Sequence, residues 1–428
     1  MSNKVGIGNN GDMQAAQTCR LCGAAVHHVF LDLGMMPPCE GLVESGLEDT
    51  GQAHYPLRLM ACGFCYLVQL VPIAFPDKPE EDAGGLCNQA SPSDEARFGY
   101  ESLVARLALG PKSQIIEIGG DGGELIRAFQ RLSVPALAVV SDAGIWPWHT
   151  LAYQPHLATS VARELAGEGL KADLLFVHGC LEQAWNLNDF VSATVGLLKP
   201  DGMIVLRFRS LLSLISDNRY DEVRHEDVNY LSLLAIEQIA ARHQLRLHDV
   251  EAMTKNSSFL RAYLVRSTSS KPQTRSLSEL LERERSVGLH HPDIYQRFNI
   301  DVQKAKRALL GLLIRLKDEG HTICGYGADA DSISLLNRCR IGPDLLDFTV
   351  DPDTQNYAAL TSGMRVPILS WEALAIAKPA YLLILSWART AEIVQRARVM
   401  ESWGGRFIVP LPQPHVINPY SSTRETSS

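Results

Sequence analysis

The sequence predicts an α/β protein with an N-terminal four-cysteine zinc lobe, a central doubly wound Rossmann-like sheet and a second, C-terminal Rossmann-like lobe. Three observations predict it. Two C-x-x-C knuckles, Cys19/Cys22 and Cys62/Cys65, stand about forty residues apart. A strand, glycine turn and helix start follow one another across residues 115–126. A similar strand–turn–helix begins again at His321.

The totals bound the class. A chain of 428 residues is too long for one ordinary core, so two or three domains are expected. With 46% apolar and 21% charged residues, the composition is that of a soluble globular protein. A net charge of −8 argues against nonspecific nucleic-acid or membrane-surface partners, which favour basic faces. The first residues are polar and glycine-rich, and no run of about eighteen apolar residues occurs, so no membrane span is expected. Nine cysteines, four of them in close pairs, favour metal and free thiols over a secreted disulfide framework. A cytoplasmic location follows as the expectation.

Taken in order, residues 1–16 read as a tail, and 17–78 as the zinc-binding lobe. Cys19, Cys22, Cys62 and Cys65 place four thiolates where they can close a tetrahedron around zinc, with Gly23 and Gly63 as turn-forming neighbours. Metal binding would supply folding energy to a segment too short for much core. Cys39 and Cys87 are read as spare.

Residues 79–270 read as the cofactor-binding domain. After a proline- and acid-rich stretch and a helical pattern over 94–109, Ile115–Ile118 is a buried strand running into glycines. Glu117, Gly119 and Gly123 form acid-x-G-x-x-x-G, a pattern that suits an adenosyl cofactor better than a pyrophosphate. Glycine at such a turn lets backbone approach a ligand. Gly120 and Asp121 lie inside that turn. Strands are expected at 135–142, 172–178 and 203–208, with a helix over 188–198 and a turn at Lys199–Gly202. Ligands of doubly wound sheets sit beyond the carboxyl ends of the strands. That rule gathers the glycine turn, Asp142 (placed to accept a ribose diol), His178 and Gly179 around one crevice. Arg207 and Arg209 end the fifth strand, either as contacts for a phosphate or carboxylate or, by the blander reading, as solvated charges.

A helical connection is expected over 271–300, interrupted near His290-His291-Pro292, then a substrate lobe over 301–418 and a tail over 419–428. Gly325, Gly327 and Ala330 match G-x-G-x-x-A, with Asp351 ending the next strand. Asp329 and Asp331 oppose a pyrophosphate there, so a packing or substrate-contact lobe is preferred over a nicotinamide site.

The order of knuckles, acid-x-G-x-x-x-G sheet and second α/β lobe resembles the sugar-nucleotide C-methyltransferases of deoxysugar biosynthesis. The likeness is carried by residues 31–38 (LDLGMMPP), 187–191 (LNDFV), 197–202 (LLKPDG), 230–235 (YLSLLA), 341–344 (IGPD) and 404–412 (GGRFIVPLP). It implies a SAM-methyltransferase fold for the central lobe, S-adenosylmethionine and zinc as cofactors, and a nucleotide-linked ketosugar as small-molecule substrate.

The resemblance weakens at the chemistry. The family's Tyr-His-Glu-His is Arg224, His225, Glu226 and Asp227 here, so only His225 and Glu226 persist. A further family histidine aligns with Gln183, an asparagine with Gly179, and a substrate-contacting loop becomes residues 328–333 (ADADSI). Methylating a carbon beside a ketone needs a base for the α-proton and donors for the enolate. Either Glu226 or Asp227 is the base, with Arg224 holding the enolate through its permanently charged fork, or the cofactor pocket serves another reaction or only binding. The bland readings are an exposed Arg224–Asp227 ion pair and a buried structural His225.

Overall fold

The computed structural model describes residues 17–26, 28–38, 42–43, 52–72, 100–119, 129, 131–139, 154–253, 258–352 and 359–418. The expected tails, Cys39, Cys87, Gly120, Asp121, Gly123 and Asp142 lie outside the described residues.

Alternation builds the first lobe. Along Tyr55–Ala61, Tyr55, Leu57 and Leu59 point inward while Pro56 and Arg58 are half-buried, the period-2 signature of a strand covered on one face. Its sheet runs Asn229–Tyr230, Val68–Leu70, Tyr55–Ala61, Val29–Met36, all antiparallel. The first of these belongs to the central segment, so the chain following residues 224–227 is stitched into the metal lobe's sheet through Asn229–Gln69 and Tyr230–Val68.

In the central lobe the strand order is Leu245–Ala252, Phe259–Arg266, Leu198–Arg209, Ala172–His178, Ile115–Gly119, Ala136–Val139. The last four are mutually parallel, and the first two add an antiparallel edge. Ala172–His178 is apolar on both faces, as a parallel strand covered by helices on each side must be. The turn expected at Lys199–Gly202 is instead an irregularity inside the strand Leu198–Arg209, where the register against Ala172–His178 shifts. Gly202 permits it: a Cβ there would stand 2.8 Å from the Ala172 carbonyl oxygen.

The C-terminal sheet runs Ile368–Leu369, Thr349–Val350, Ile323–Tyr326, Tyr381–Ile384, Arg406–Val409, His415–Ile417, parallel except for the last. Helices Arg275–Val287 and Pro292–Asp318 break at the expected His290-His291-Pro292, and the second runs unbroken past residue 300. It packs on Val29–Met36 of the metal lobe and on helix Ala330–Cys339. Buried Glu284 accepts the backbone N–H groups of Leu233 (2.9 Å) and Leu234 (3.0 Å), which open helix Leu233–Arg242. These two donors have no partner within their own helix, so the carboxylate fastens one element to the next.

Candidate functional site

The four knuckle thiols converge, all Sγ atoms lying within 4.8 Å of one another. Cys19 and Cys65 are 3.4 Å apart, Cys22 and Cys62 3.5 Å. A tetrahedron with Zn–S bonds of about 2.3 Å has edges of about 3.8 Å, so the donor set fits zinc in both chemistry and size. The two knuckles fold alike: Gly23 donates to the Cys19 carbonyl (2.9 Å) and Tyr66 to that of Cys62 (3.1 Å). Gly23 is left-handed at φ 74°, and its counterpart is Tyr66 at φ 63° rather than the expected Gly63. Position after the second cysteine, not residue type, sets the turn.

At the carboxyl ends of the central strands, Glu117, Gly119, His178 and Gly179 come together. Gly119 pairs with His178, and Glu117 with Phe176. Glu117 is buried within its strand, 3.5 Å from His178 Nε2. Burial, with Arg207 and Arg261 nearby, holds His178 well below the usual imidazole range, so the contact joins a carboxyl to a neutral ring. Gly179 is left-handed (φ 61°), and a Cβ there would meet nothing within 4 Å among the described residues.

Residues 217–227 form a buried charged cluster. Arg224 and Asp227 do pair, at 3.1 Å, but both are buried, which corrects the exposed-pair reading. Arg209 is no solvated strand end either: its guanidinium bridges Glu222 and Asp331, each at 3.3 Å. Arg207 lies over the Phe259 ring, 3.9 Å from its centroid. His225 is fully buried with Nε2 3.3 Å from the Tyr55 carbonyl oxygen, and burial pushes it down to about 4. Among the described residues neither Glu226 carboxyl oxygen finds a hydrogen-bond partner, and burial raises Glu226 above the ordinary carboxylate range despite Arg224.

Several buried carboxylates escape sequence reasoning, Asp221 and Glu182 among them. Asp221 accepts from Trp387 Nε1 (2.7 Å), and burial with Glu222 nearby pushes it up to about 7. Glu182 accepts the Arg209 backbone N–H (3.1 Å), and burial with Asp227 nearby also pushes it up to about 7. Glu182 adjoins Gln183, the position singled out above only through the family resemblance, and that neighbourhood is the local signal that could have found it.

A cleft of ≈ 1450 Å³ opens between the central and C-terminal lobes. Arg209, Asp221, Glu222, Asp331 and Trp387 line it, whereas Glu226 does not. On the C-terminal side, Gly327 (φ 117°) turns the chain so tightly that a Cβ would come 2.5 Å from both Ser332 Oγ and Ser386 Oγ. Asp329 caps helix Ala330–Cys339 through Ser332 N–H (2.8 Å) and accepts from Ser386 Oγ (2.9 Å). Asp351 accepts the Ala328 N–H (2.8 Å), so the acid that a dinucleotide ribose would need already holds the loop.

Residues 19–78 match a family described as a zinc binding domain, and residues 258–412 match the C-methyltransferase C-terminal domain. The C-methyltransferase NovU of Streptomyces niveus is 25% identical over 423 residues, covering 94% of this chain and 97% of that protein. Among solved structures, the 1,6-didemethyltoxoflavin-N1-methyltransferase of Burkholderia thailandensis is 13% identical at TM-score 0.30, over 47% of this chain and 95% of that one. The CcbJ methyltransferase of Streptomyces caelestis is 12% identical at TM-score 0.27, over 42% and 98%.

Proposed function

We propose that this chain, a member of the C-methyltransferase family, methylates a carbon beside the carbonyl of a nucleotide-linked sugar, with S-adenosylmethionine as donor. The observation that carries the reading is the ≈ 1450 Å³ cleft, which lies beyond the ends of two Rossmann-like sheets and is walled by buried charge. Bound S-adenosylmethionine would supply an electrophilic methyl group. Glu117, Gly119, His178 and Gly179, with Gly120, Asp121, Gly123 and Asp142, are the residues we assign to holding it. Zinc, on the four knuckle thiolates, braces the first lobe.

The chain's own task is proton removal and charge stabilisation. Glu226 is the proposed base: an unpartnered buried carboxylate with a raised pKa is a stronger base than an exposed one once ionised. Arg224, whose Nε has no hydrogen-bond partner, is the proposed partner for the enolate oxygen, and Asp227 keeps its fork in place. His225, neutral at physiological pH and tied to the Tyr55 carbonyl, orients this stretch against the metal lobe. A second reading makes Asp221 the base, favoured by its place on the cleft wall.

Incubating the purified chain with methyl-labelled donor and a panel of 4-keto and 3-keto sugar nucleotides tests the function. Label in a carbon–carbon bond of product supports it, and donor binding without transfer to any member sinks it. Glu226→Gln against Asp221→Asn decides between the bases, because loss of the true base lowers turnover by about 10²–10⁴-fold.

A further inference from the structure

Behind the cleft lies a small cavity of ≈ 10 Å³, bounded by Glu182, Arg209, Glu222, Asp227, Asn229 and Tyr230 with two leucines. That is room for one water molecule. We propose that this cavity holds one ordered water, which donates to Asn229 Oδ1 and accepts a hydrogen bond from a proton carried on Glu182 Oε2.

The hydrogen-bond inventory requires a donor there. Asn229 spends both amide hydrogens on the carbonyls of Leu181 (2.9 Å) and Ala184 (2.8 Å), which fixes its flip and leaves Oδ1 without a donor. Glu182 gives Oε1 to the Arg209 N–H, and its Oε2 has no partner. Both orphans are acceptors, and both belong to residues more than nine-tenths buried. Two neighbouring donors serve other acceptors: Tyr230 OH donates to the Arg224 carbonyl, and Arg209 Nη1 faces Glu222 and Asp331. A water donating two hydrogen bonds, or a proton carried by a carboxyl, is what the site lacks. A metal is a poor occupant, since among the described residues only the four cysteines gather closely enough to bind one.

The surrounding charges favour a proton on Glu182. Burial and Asp227 raise Glu182 to about 7, while Arg207 and the Arg209 N–H oppose them. Arg224 holds Asp227 from the other side at 3.1 Å. The adjoining Cys180 thiol is pushed up to about 12, by burial and then by Glu182 and Glu117, and stays a thiol. Tyr230 is pushed above its usual range by burial and stays a phenol.

Infrared difference titration of the zinc-loaded full chain, without methyl donor, tests it. The protonated-carboxyl band that titrates near neutrality should lose one component in Glu182→Gln. In Asp227→Asn the midpoint of that component should fall by about one pH unit, because a neighbouring negative charge is gone. Arg207→Ala, whose side chain lies outside the cavity, should raise the midpoint and serves if Glu182→Gln does not fold. A titrating band intact in Glu182→Gln, or a midpoint indifferent to both Asp227 and Arg207, overturns the proposal. Because no donor or substrate is present, failure here leaves methyl transfer standing, and a failed transfer assay leaves the titration standing.

Discussion

Protonating His225 should loosen the joint between the central and metal lobes, and the structure fixes how much. The ring has 0% exposure, and its Nε2 meets the Tyr55 carbonyl oxygen at 3.3 Å. Burial pushes its pKa down from 6.5 to about 4. A base depressed in the folded state binds its proton more readily when unfolded, so its contribution is fully present above pH 6.5 and is lost as pH falls towards 4. At about pH 4.5 the loss from this group alone is about 2.5 kcal/mol, from the ratio of the two protonation polynomials. His225→Gln keeps an N–H for the Tyr55 carbonyl and removes the titration. Denaturant unfolding followed by tryptophan fluorescence at about pH 7.5 and about pH 4.5 gives the measurement. Carboxylates and metal thiolates lose stability in both proteins alike, so the difference between the two losses isolates His225. The wild-type chain should lose about 2.5 kcal/mol more than the variant. Equal losses would mean that the imidazole is solvated or paired when charged, and the reasoning would fail.

Three other outcomes follow from geometry already given. The purified chain should carry one zinc per molecule by atomic absorption, and Cys62→Ser or strong chelation should remove it and unfold the first lobe, since such sites supply on the order of 10 kcal/mol of folding energy. Gly327→Ala should destabilise the C-terminal lobe by about 1–3 kcal/mol in thermal unfolding, because φ of 117° and two hydroxyls 2.5 Å from the new Cβ leave no relaxed position. Glu284→Ala should cost about 2–4 kcal/mol by the same measurement, as two buried N–H groups at the start of Leu233–Arg242 lose their acceptor.

The knuckles were legible because metal ligation is a local spacing rule, and the paired cysteines needed no knowledge of the fold. Strand–helix alternation exposed both Rossmann-like sheets for a similar reason, since a run such as Leu174–Val177 is apolar whatever it pairs with. Arg209 was not legible. From sequence it is a cation at a strand end, and only the approach of Asp331 from 122 residues away makes it a buried bridge. Asp221 and Glu182 were missed because an acid near a strand end or a short helix is ordinarily solvated. What makes them unusual is the covering supplied by Trp387 and by the 224–230 segment, and no local pattern encodes covering. The Lys199–Gly202 turn was misread because Lys-Pro-Asp-Gly is good turn chemistry, and only packing on Ala172 converts it into a strand irregularity.

Arg224 and Asp331 are best understood together. Asp331 Oδ1 stands 3.9 Å from Arg224 Nη1 while its Oδ2 holds Arg209 at 3.3 Å. Burial alone would raise Asp331, yet Arg209 and Arg224 outweigh it and hold the carboxyl below its usual range. A lone arginine at 224 would put two guanidinium groups near each other, a repulsion felt by Arg209 itself. A lone aspartate at 331 would add to the negative charge of Glu222 and Asp227. Together they are nearly neutral. A double-mutant cycle of Arg224→Gln with Asp331→Asn should therefore show coupling, the double variant being more stable than the two single losses add up to, by about 1 kcal/mol given that Asp331 is part-exposed. Strict additivity would leave Arg209 as the sole partner of Asp331, and Arg224 would then be free to be judged on its contact with Asp227 alone.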